Sequence, residues 1–321
     1  MKNAFPLSKA QYGLYVDCMN NIGKVYYNCS FCYHLDASLD GERMCRAIET
    51  AVKAHPALFM RIVLNEDGEP MQRVDVDDQN GWSLTLENTT DIEREIIDFV
   101  QPYNLHEERL FRIRLIRDAE HLNFMLDIHH IVSDGTSFQL LLEDIDKAYR
   151  GENLIAERLS QGEQALAEAE LRKSTAFAQG KEWYAQNFES SDTCTQLIPD
   201  LETSDGRKEA VYTRTLTIDL EQTDAFCREN GIYKNNLFTT AYALLMARYN
   251  NEQEAFFPTA YNGRGDKRLA NTVGMFVKTI PVQIRFDNDT TTMELLQKNQ
   301  QLMSGCREHE APTIYGYFCR N

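Results

Sequence analysis

The chain has 321 residues, of which 43% are hydrophobic and 26% are charged, with only 16 Gly and 8 Pro. This composition is that of an ordinary globular protein with material for about two domains, and it excludes a fibrous or intrinsically disordered chain. The 33 basic and 49 acidic residues give a net charge of −16, which argues against a protein whose main task is to neutralise the phosphates of nucleic acid or of an anionic membrane. No apolar run approaches the ~18 residues of a membrane span, and no secretory signal is visible. We therefore expect a cytoplasmic protein that binds neither nucleic acid nor membrane.

The first half of the chain predicts alternating helices and strands, from hydrophobic periodicity and turn residues. In chain order these elements are a helix capped by Ser8, an aromatic strand over 26–33, a helix over 39–54, a hairpin of 58–64 with 71–74, a second hairpin of 111–117 with 122–128, and a helix whose apolar stripe runs from Phe138 to Tyr149.

Residues 151–173 are rich in Glu, Ala and Gln, which is typical of an exposed helix or of a crossover between two domains. The second half predicts a strand over 210–218, an apolar helix over 236–249 and strands over 255–260 and 275–284. Strands and helices alternate in both halves, so we expect a layered α/β or α+β protein with one domain over residues 1–170 and another over residues 171–321.

The eight cysteines are scattered through a chain that is long enough to fold without disulfides, so reduced thiols are expected. Cys29 and Cys32 form an isolated C-x-x-C pattern within the aromatic strand. With no second pair and no histidine cluster nearby, a zinc or redox site is the weaker interpretation, and we expect no metal.

The most informative stretch lies between the strand that ends at Ile128 and the helix that begins near Thr136. It reads His129-His130-Ile131-Val132-Ser133-Asp134-Gly135. Adjacent histidines on extended backbone point in opposite directions, so at most one of them faces a given cavity. Histidine has an ordinary pKa of about 6.5, so near physiological pH its side chain can act both as a neutral base and as a charged acid. This suits a group-transfer reaction.

From the residues alone, two interpretations of this stretch stay open. One is transfer chemistry at a single histidine; the other is a pair of ordinary loop-edge histidines with Asp134 as a helix cap. A metal site of His129, His130 and Asp134 is disfavoured because opposed side chains do not readily chelate one ion. A serine hydrolase is disfavoured too, because the chain has no G-x-S-x-G pattern.

The H-H-x-x-x-D-G pattern after a strand resembles the signature of the condensation domains of nonribosomal peptide synthetases, and of the wider chloramphenicol-acetyltransferase-like acyltransferases. Four other segments resemble the family's motifs in the correct order. These are Leu7–Tyr15, with Gly13 where arginine is usual; His55–Leu58; Leu110–Arg112; and Asn262–Arg264 followed by Val273–Pro281, with Lys278 where asparagine is usual.

The resemblance implies a two-lobe chloramphenicol-acetyltransferase-like fold, with a mixed sheet and helices in each lobe and the active site between the lobes. It covers nearly all of the chain, but condensation domains usually continue further, so we expect the second lobe to be incomplete. It also implies a reaction in which the α-amine of an acceptor aminoacyl thioester attacks a donor acyl or peptidyl thioester and forms an amide. Each substrate is carried on the phosphopantetheine of a peptidyl carrier protein, neighbouring synthetase domains are partners, and no cofactor is tightly bound.

The resemblance further implies roles for particular residues. His130 lies beside the attacking amine as base or hydrogen-bond acceptor, and Asp134 pairs with an arginine, for which Arg61 and Arg112 are the candidates. His129 and Gly135 support the motif, and the N–H of Gly135 points towards the developing oxyanion. The candidates for lining the substrate channel are Ser137, Asn262, Arg264, Gly274, Phe276 and Lys278.

Two alternatives to this function remain. A related acyltransferase would use a soluble CoA thioester, although the net charge of −16 makes a basic patch for the CoA phosphates less expected. A catalytically silent module would only dock carrier proteins, and an incomplete second lobe favours that interpretation while the intact histidine pair opposes it.

Overall fold

The computed structural model describes residues 4–188, 194–197 and 212–309. The chain forms two compact units, of which the first comprises residues 1–173 together with Asn262–Lys278, and the second comprises Ser174–Tyr261 together with the segment from Thr279 onward. We call Asn262–Lys278 the strap. The sequence predicted one division of the chain, at residue 170, which puts the strap in the second domain. The structure places the strap in the first unit instead. The reason is that backbone N–H groups of the strap bind side chains of that unit.

Within the described residues, the first unit contains two sheets and six α-helices. Its helices are α1 (Lys9–Asn20), α2 (Gly41–Lys53), α3 (Val76–Gly81), α4 (Ile92–Phe99), α5 (Gly135–Arg150) and α6 (Gln161–Leu171). Its strands are β1 (Phe5–Pro6), β2 (Asn28–Asp36), β3 (Met60–Leu64), β4 (Pro70–Val74), β5 (Leu86–Asn88), β6 (Phe111–Arg117) and β7 (His121–His129). One sheet has the order β1-β4-β3 and the other the order β2-β7-β6-β5.

Strand β7 lies at the centre of the larger sheet, antiparallel to both β2 and β6. Its side chains alternate between the two faces of the sheet. Leu122, Phe124, Leu126 and Ile128 join the main hydrophobic core of the unit, whereas Met125 packs in a separate cluster with Phe99 of α4. Both faces are therefore covered, which explains why eight of the nine residues of β7 are buried.

The helices of the second unit are α7 (Thr175–Asn187), α8 (Leu220–Asn230), α9 (Lys234–Tyr249) and α10 (Thr292–Glu308). Its strands β8 (Glu254–Tyr261) and β9 (Lys278–Arg285) pair with each other. The first residue of β9, Lys278, is also the last residue of the strap. In the described part of this unit, two hydrophobic clusters are centred on Phe256 with Met303 and on Ala243 with Val282.

Most of the predicted elements are confirmed, including both hairpins, the Ser8 cap and the helices α2, α5 and α9. Two strand predictions were wrong in part. The strand expected over 275–284 begins at Lys278, because the N–H groups of Met275 and Phe276 donate to side chains and not to a neighbouring strand. Of the strand expected over 210–218, residues 210 and 211 lie outside the described residues, and 212–218 form no strand.

Candidate active site

The turn that follows β7 carries the two histidines. His129 is the last residue of β7, His130–Val132 form one turn of 3-10 helix, and Asp134 is the N-cap of α5. The chain therefore passes from a buried strand to a helix within five residues, and the side chains between them are held by local hydrogen bonds.

The His130 imidazole has one nitrogen bound and one available. Its Nδ1 lies 2.6 Å from the backbone carbonyl oxygen of Ser133. A carbonyl only accepts hydrogen bonds, so the neutral ring carries its proton on Nδ1 and a lone pair on Nε2. Within the described part of the chain no protein group bonds Nε2, and the residue is half-buried. This ring is thus oriented to accept a proton or a hydrogen bond from a ligand.

The His129 imidazole has the opposite arrangement. Its Nδ1 accepts a hydrogen bond from the backbone N–H of Ile131 at 3.1 Å, and its Nε2 lies 3.5 Å from the Sγ atom of Cys18. The residue is buried, and this desolvation, with a further contribution from His130, lowers the pKa of His129 to about 3. His129 is therefore a neutral structural group.

The Asp134 carboxylate is buried and fully bonded by protein groups. Its Oδ1 accepts hydrogen bonds from the N–H and the hydroxyl of Ser137, at 2.9 and 2.8 Å. Its Oδ2 accepts from Arg264 at 2.6 Å and from the N–H of Phe276 at 3.1 Å. The carboxylate holds the turn, α5 and the strap together, and nothing in this geometry directs it to a substrate.

The expected arginine partners of Asp134 were wrong. Arg61 pairs with Asp78 at 2.7 Å, and Arg112 pairs with Glu108 at 2.8 Å. Arg61 on β3 is thus neutralised by a carboxylate of α3, and Arg112 on β6 by a carboxylate four residues earlier in the chain. The true partner, Arg264, is 130 residues from Asp134 in the sequence, and only the return of the strap to the first unit brings it close.

Four of the six residues expected to line a channel are instead buried in this network. The side chain of Arg264 is only 5% exposed, and its guanidinium lies 4.7 Å from the centre of the Phe276 ring. Ser137 accepts a hydrogen bond from the N–H of Gly274 at 3.0 Å. These four residues are structural because the strap uses them as its attachment points. For the exposed Asn262 and the half-buried Lys278, the expected channel role stays a prediction.

Sequence reasoning missed the groups that hold the strap. Consecutive backbone N–H groups of the strap donate to side chains of the first unit: Val273 to Glu157, Gly274 to Ser137, Met275 to Gln161 and Phe276 to Asp134. Gly263 has φ 65°, and a Cβ atom there would lie 1.8 Å from the carbonyl oxygen of Phe276. Glycine is therefore required at 263, which the asparagine-glycine-arginine pattern alone did not indicate.

Gly135 is exposed at the first position of α5. Its φ is not positive, and a Cβ atom there would meet no other atom within 4 Å. Neither the backbone conformation nor the packing of the described residues therefore requires glycine at this position. The first-turn N–H groups of a helix are the ones that favour negative charge.

Metal ligands do not cluster in the described parts of the chain, where no group of three or more His, Cys, Asp or Glu side chains could hold an ion. Cys29 packs at the edge of the main core and Cys32 in the cluster with Phe99, so the two thiols of the C-x-x-C pattern lie on opposite faces of the sheet. As for a membrane, none of the helices in the described residues is both long and apolar enough to span one.

Comparisons with known proteins find similar sequences and structures over nearly the whole length of the chain. A family model described as "Condensation domain" matches residues 1–315. One plipastatin synthase protein of Bacillus subtilis (strain 168) is 26% identical over 315 residues, covering 96% of this chain but 12% of the relative. Tyrocidine synthase 2 of Brevibacillus parabrevis is 26% identical over 314 residues, covering 95% of this chain and 9% of the relative. The chain thus spans about an eighth or less of the length of these curated relatives.

Solved structures show the same fold. The first condensation domain of the CDA synthetase has a TM-score of 0.75 at 19% sequence identity, covering 97% of this chain and 78% of that structure. The X-domain from teicoplanin biosynthesis has a TM-score of 0.75 at 18% identity, covering 98% of this chain and 72% of that structure. The fold class predicted from the sequence is therefore confirmed.

Proposed function

We propose, because the chain belongs to the condensation-domain family, that it forms an amide bond between a donor acyl or peptidyl thioester and the α-amine of an acceptor aminoacyl thioester. The names of its relatives, which are synthases of plipastatin and tyrocidine, support this proposal. The amine nitrogen attacks the thioester carbonyl carbon, a C–N bond forms and the C–S bond breaks. One proton leaves the nitrogen, and the departing sulfur is released as a thiol.

The availability of His130 Nε2 is the observation that carries the proposal. With Nδ1 bonded to the Ser133 carbonyl, Nε2 is the nitrogen that would accept the hydrogen bond or the proton of the attacking amine. An α-amine has a pKa of about 7.7–8.0, so a useful fraction is already neutral at physiological pH. Orientation of the amine by Nε2 therefore contributes together with proton transfer.

The residues around His130 hold it in place. Asp134 and Arg264 fix the start of α5, which follows the histidine turn directly. The exposed Gly135 leaves room for a thioester, and its backbone N–H would donate to the oxyanion that forms when the amine attacks. Neither role requires the Asp134 carboxylate to touch the substrate.

The substrates would arrive on carrier proteins, as the synthase relatives suggest. Each carrier holds its thioester on phosphopantetheine, so the chain itself needs no tightly bound cofactor. Donor and acceptor peptidyl carrier proteins and neighbouring synthetase domains are the proposed partners.

A single-turnover condensation assay with loaded donor and acceptor carriers tests the proposal. We expect His130→Ala to lower the rate by about 10²- to 10⁴-fold, the range of general acid–base catalysis. His121→Ala, at the other end of the same strand, is the matched control and should leave the rate unchanged. A fully active His130→Ala protein would refute the role of this histidine, and an inactive but folded wild-type chain would refute amide formation. The same assay with acyl-CoA as donor tests the CoA-dependent alternative.

A further inference from the structure

Three buried glutamines of the first unit come from three different elements. They are Gln11 of α1, Gln72 of β4 and Gln161 of α6, and each is at most 3% exposed. A side-chain amide that is buried without partners costs free energy, so buried glutamines are expected to be hydrogen-bonded. In this unit the three side chains bond one another, and we call them the glutamine chain.

The hydrogen bonds of the glutamine chain run in series. Nε2 of Gln161 donates to Oε1 of Gln72 at 2.8 Å, and Nε2 of Gln72 donates to Oε1 of Gln11 at 3.0 Å. The bonded residues are 89 and 61 positions apart in the sequence. The series therefore exists only when α1, β4 and α6 have packed together.

Backbone groups fix the orientation of the two outer side-chain amides. The N–H of Met275, in the strap, donates to Oε1 of Gln161 at 2.6 Å, and the N–H of Ser8 donates to Oε1 of Gln11 at 2.9 Å. A backbone N–H only donates, so the atom that faces it must be the amide oxygen and the other atom the nitrogen. The glutamine chain thus has one direction, which leads from the strap to Nε2 of Gln11.

The last donor of the glutamine chain reaches the histidine turn. Nε2 of Gln11 donates to the backbone carbonyl of Ile131 at 3.1 Å. Ile131 is fully buried and follows His130 directly in the turn of 3-10 helix. Its N–H donates to the ring of His129 at 3.1 Å. Both backbone polar groups of Ile131 are therefore held by side chains.

The path of the backbone through Ile131 decides what the His130 ring meets. Nδ1 of His130 bonds the carbonyl of Ser133 at 2.6 Å, and the N–H of Ser133 donates back to the carbonyl of His130 at 3.3 Å. Ile131 lies between the two residues that these contacts join. A shift of this turn would move the Ser133 carbonyl away from Nδ1, and the ring proton could then occupy Nε2, which would no longer be an acceptor.

We propose that Gln11 is a positioning residue for His130 and that Gln72 and Gln161 hold the Gln11 amide in the required orientation. Gln11 acts through the Ile131 carbonyl and does not touch the substrate. A buried polar network whose members are all bonded makes its surroundings rigid. The expected effect on the reaction rate rests on the proposed function, which makes His130 the base, whereas the effect on the ring does not.

Nitrogen NMR of the full chain with isotope-labelled histidine tests the effect on the ring. The measurement is made at about pH 8, above the ordinary histidine pKa of about 6.5, and His130→Ala identifies the signals of His130. In the wild type the proton should lie on Nδ1. Gln11→Met keeps the length of the side chain but removes the donor to Ile131, so the ring should show both tautomers. Gln79→Met is the matched control, because its amide donates to the carbonyl of Lys53, outside the turn, at 2.8 Å.

Single-turnover condensation with loaded carrier proteins tests the effect on the rate. Gln11→Met should lower the maximal rate by about tenfold or more, because the base is no longer held in line with the amine. The carrier concentration that gives half of the maximal rate should stay the same, since Gln11 does not touch the substrate. Gln79→Met should change neither quantity.

A double variant tests whether the glutamines act as one series. Gln161→Met should lower the maximal rate in the same direction as Gln11→Met. The two substitutions together should lower it little more than Gln11→Met alone, because both act through the same hydrogen bond to Ile131. Losses that multiply would mean that the two side chains act separately and would refute the glutamine chain.

If Gln11→Met does not fold, Gln11→Asn takes its place, because its amide is one methylene group shorter and does not reach Ile131. A folded variant at position 11 that keeps the wild-type tautomer and rate would overturn the proposal. Equal changes in that variant and in Gln79→Met would overturn it as well.

The two measurements separate the positioning role from the proposed function. The tautomer is observed without substrate, so a chain in which Gln11→Met alters the His130 ring but the wild type forms no amide would contradict the proposed function alone. An active wild type whose His130 tautomer is unaffected by the substitution would contradict the positioning role alone.

Discussion

His129 and His130 are adjacent and chemically identical, but they have different roles because the Nδ1 atom of each ring meets a different backbone group. A carbonyl at Nδ1 makes that nitrogen of His130 the donor and leaves Nε2 as a base, whereas an N–H at Nδ1 makes that nitrogen of His129 an acceptor. The sequence predicted that only one of the pair would face a ligand. The identity of the backbone group at each ring depends on the 3-10 turn, which the sequence pattern did not indicate.

Because burial lowers the pKa of His129, we expect the protein to lose stability at acidic pH. Its pKa is about 3 in the folded protein and about 6.5 when unfolded, so in this window the unfolded chain binds a proton that the folded chain does not. The free energy of unfolding should therefore fall as the pH falls from about 6.5 towards 3, by up to about 1.4 kcal/mol per pH unit from this group.

Urea unfolding of His129→Asn between pH 7 and pH 4 checks this prediction. Asparagine still accepts a hydrogen bond from the Ile131 N–H but does not titrate. The stability advantage of the wild type over the variant should shrink by about 3 kcal/mol across this range. Parallel pH profiles for the two proteins would show that His129 is not the group responsible.

We expect a substitution at Gly135 to lower activity while leaving stability nearly unchanged. Because a Cβ atom at 135 meets nothing and φ is not positive, Gly135→Ala should change the free energy of unfolding by no more than about 0.5 kcal/mol. If a thioester approaches this backbone, the added methyl group should lower the condensation rate by about tenfold or more. Gly81→Ala, at another exposed glycine with open space, is the control for both measurements. Unchanged turnover in Gly135→Ala would exclude a close approach of the substrate.

At the scale of elements, most of the structure that the sequence analysis did not predict lies in the strap. Its backbone donors bind Glu157, Ser137, Gln161 and Asp134, so it is held by side chains and not as a strand of a sheet. The apolar residues of this segment predicted a strand, because periodicity reports burial and not the identity of the hydrogen-bond acceptor. In contrast, the β6–β7 hairpin was predictable, because its alternation and its turn are both local.

The Arg264–Asp134 pair predicts a large loss of stability when one partner is removed. Arg264→Ala leaves a buried carboxylate without its counter-charge, which should lower the free energy of unfolding by about 3–5 kcal/mol. Arg268→Ala, which breaks an exposed ion pair of the same strap, should leave the free energy of unfolding nearly unchanged. Urea unfolding at pH 7 measures both, and equal losses would mean that the buried pair is not the main attachment of the strap.

At the scale of the whole molecule, the chain contributes to the first unit twice, through residues 1–173 and again through the strap. A fragment of residues 1–173 therefore lacks the groups that bond Oδ2 of Asp134 and the amide oxygen of Gln161, although Ser137 still bonds Oδ1 of Asp134. We expect this fragment to bind a synthetic peptide of residues 262–278, as measured by fluorescence anisotropy. Arg264→Ala in the peptide should weaken binding by about tenfold or more. Equal binding of a scrambled peptide would contradict this prediction.

The sequence by itself determined the class of the fold, the order of the hairpins and main helices, and the histidine motif at the end of a buried strand. These features depend on local periodicity, caps and turns, and on a motif of seven consecutive residues. The tertiary structure decided which arginine pairs with Asp134 and which residues hold the strap. Those contacts join residues that are up to 142 positions apart, and their formation depends on how the chain returns to the first unit, which no local pattern encodes.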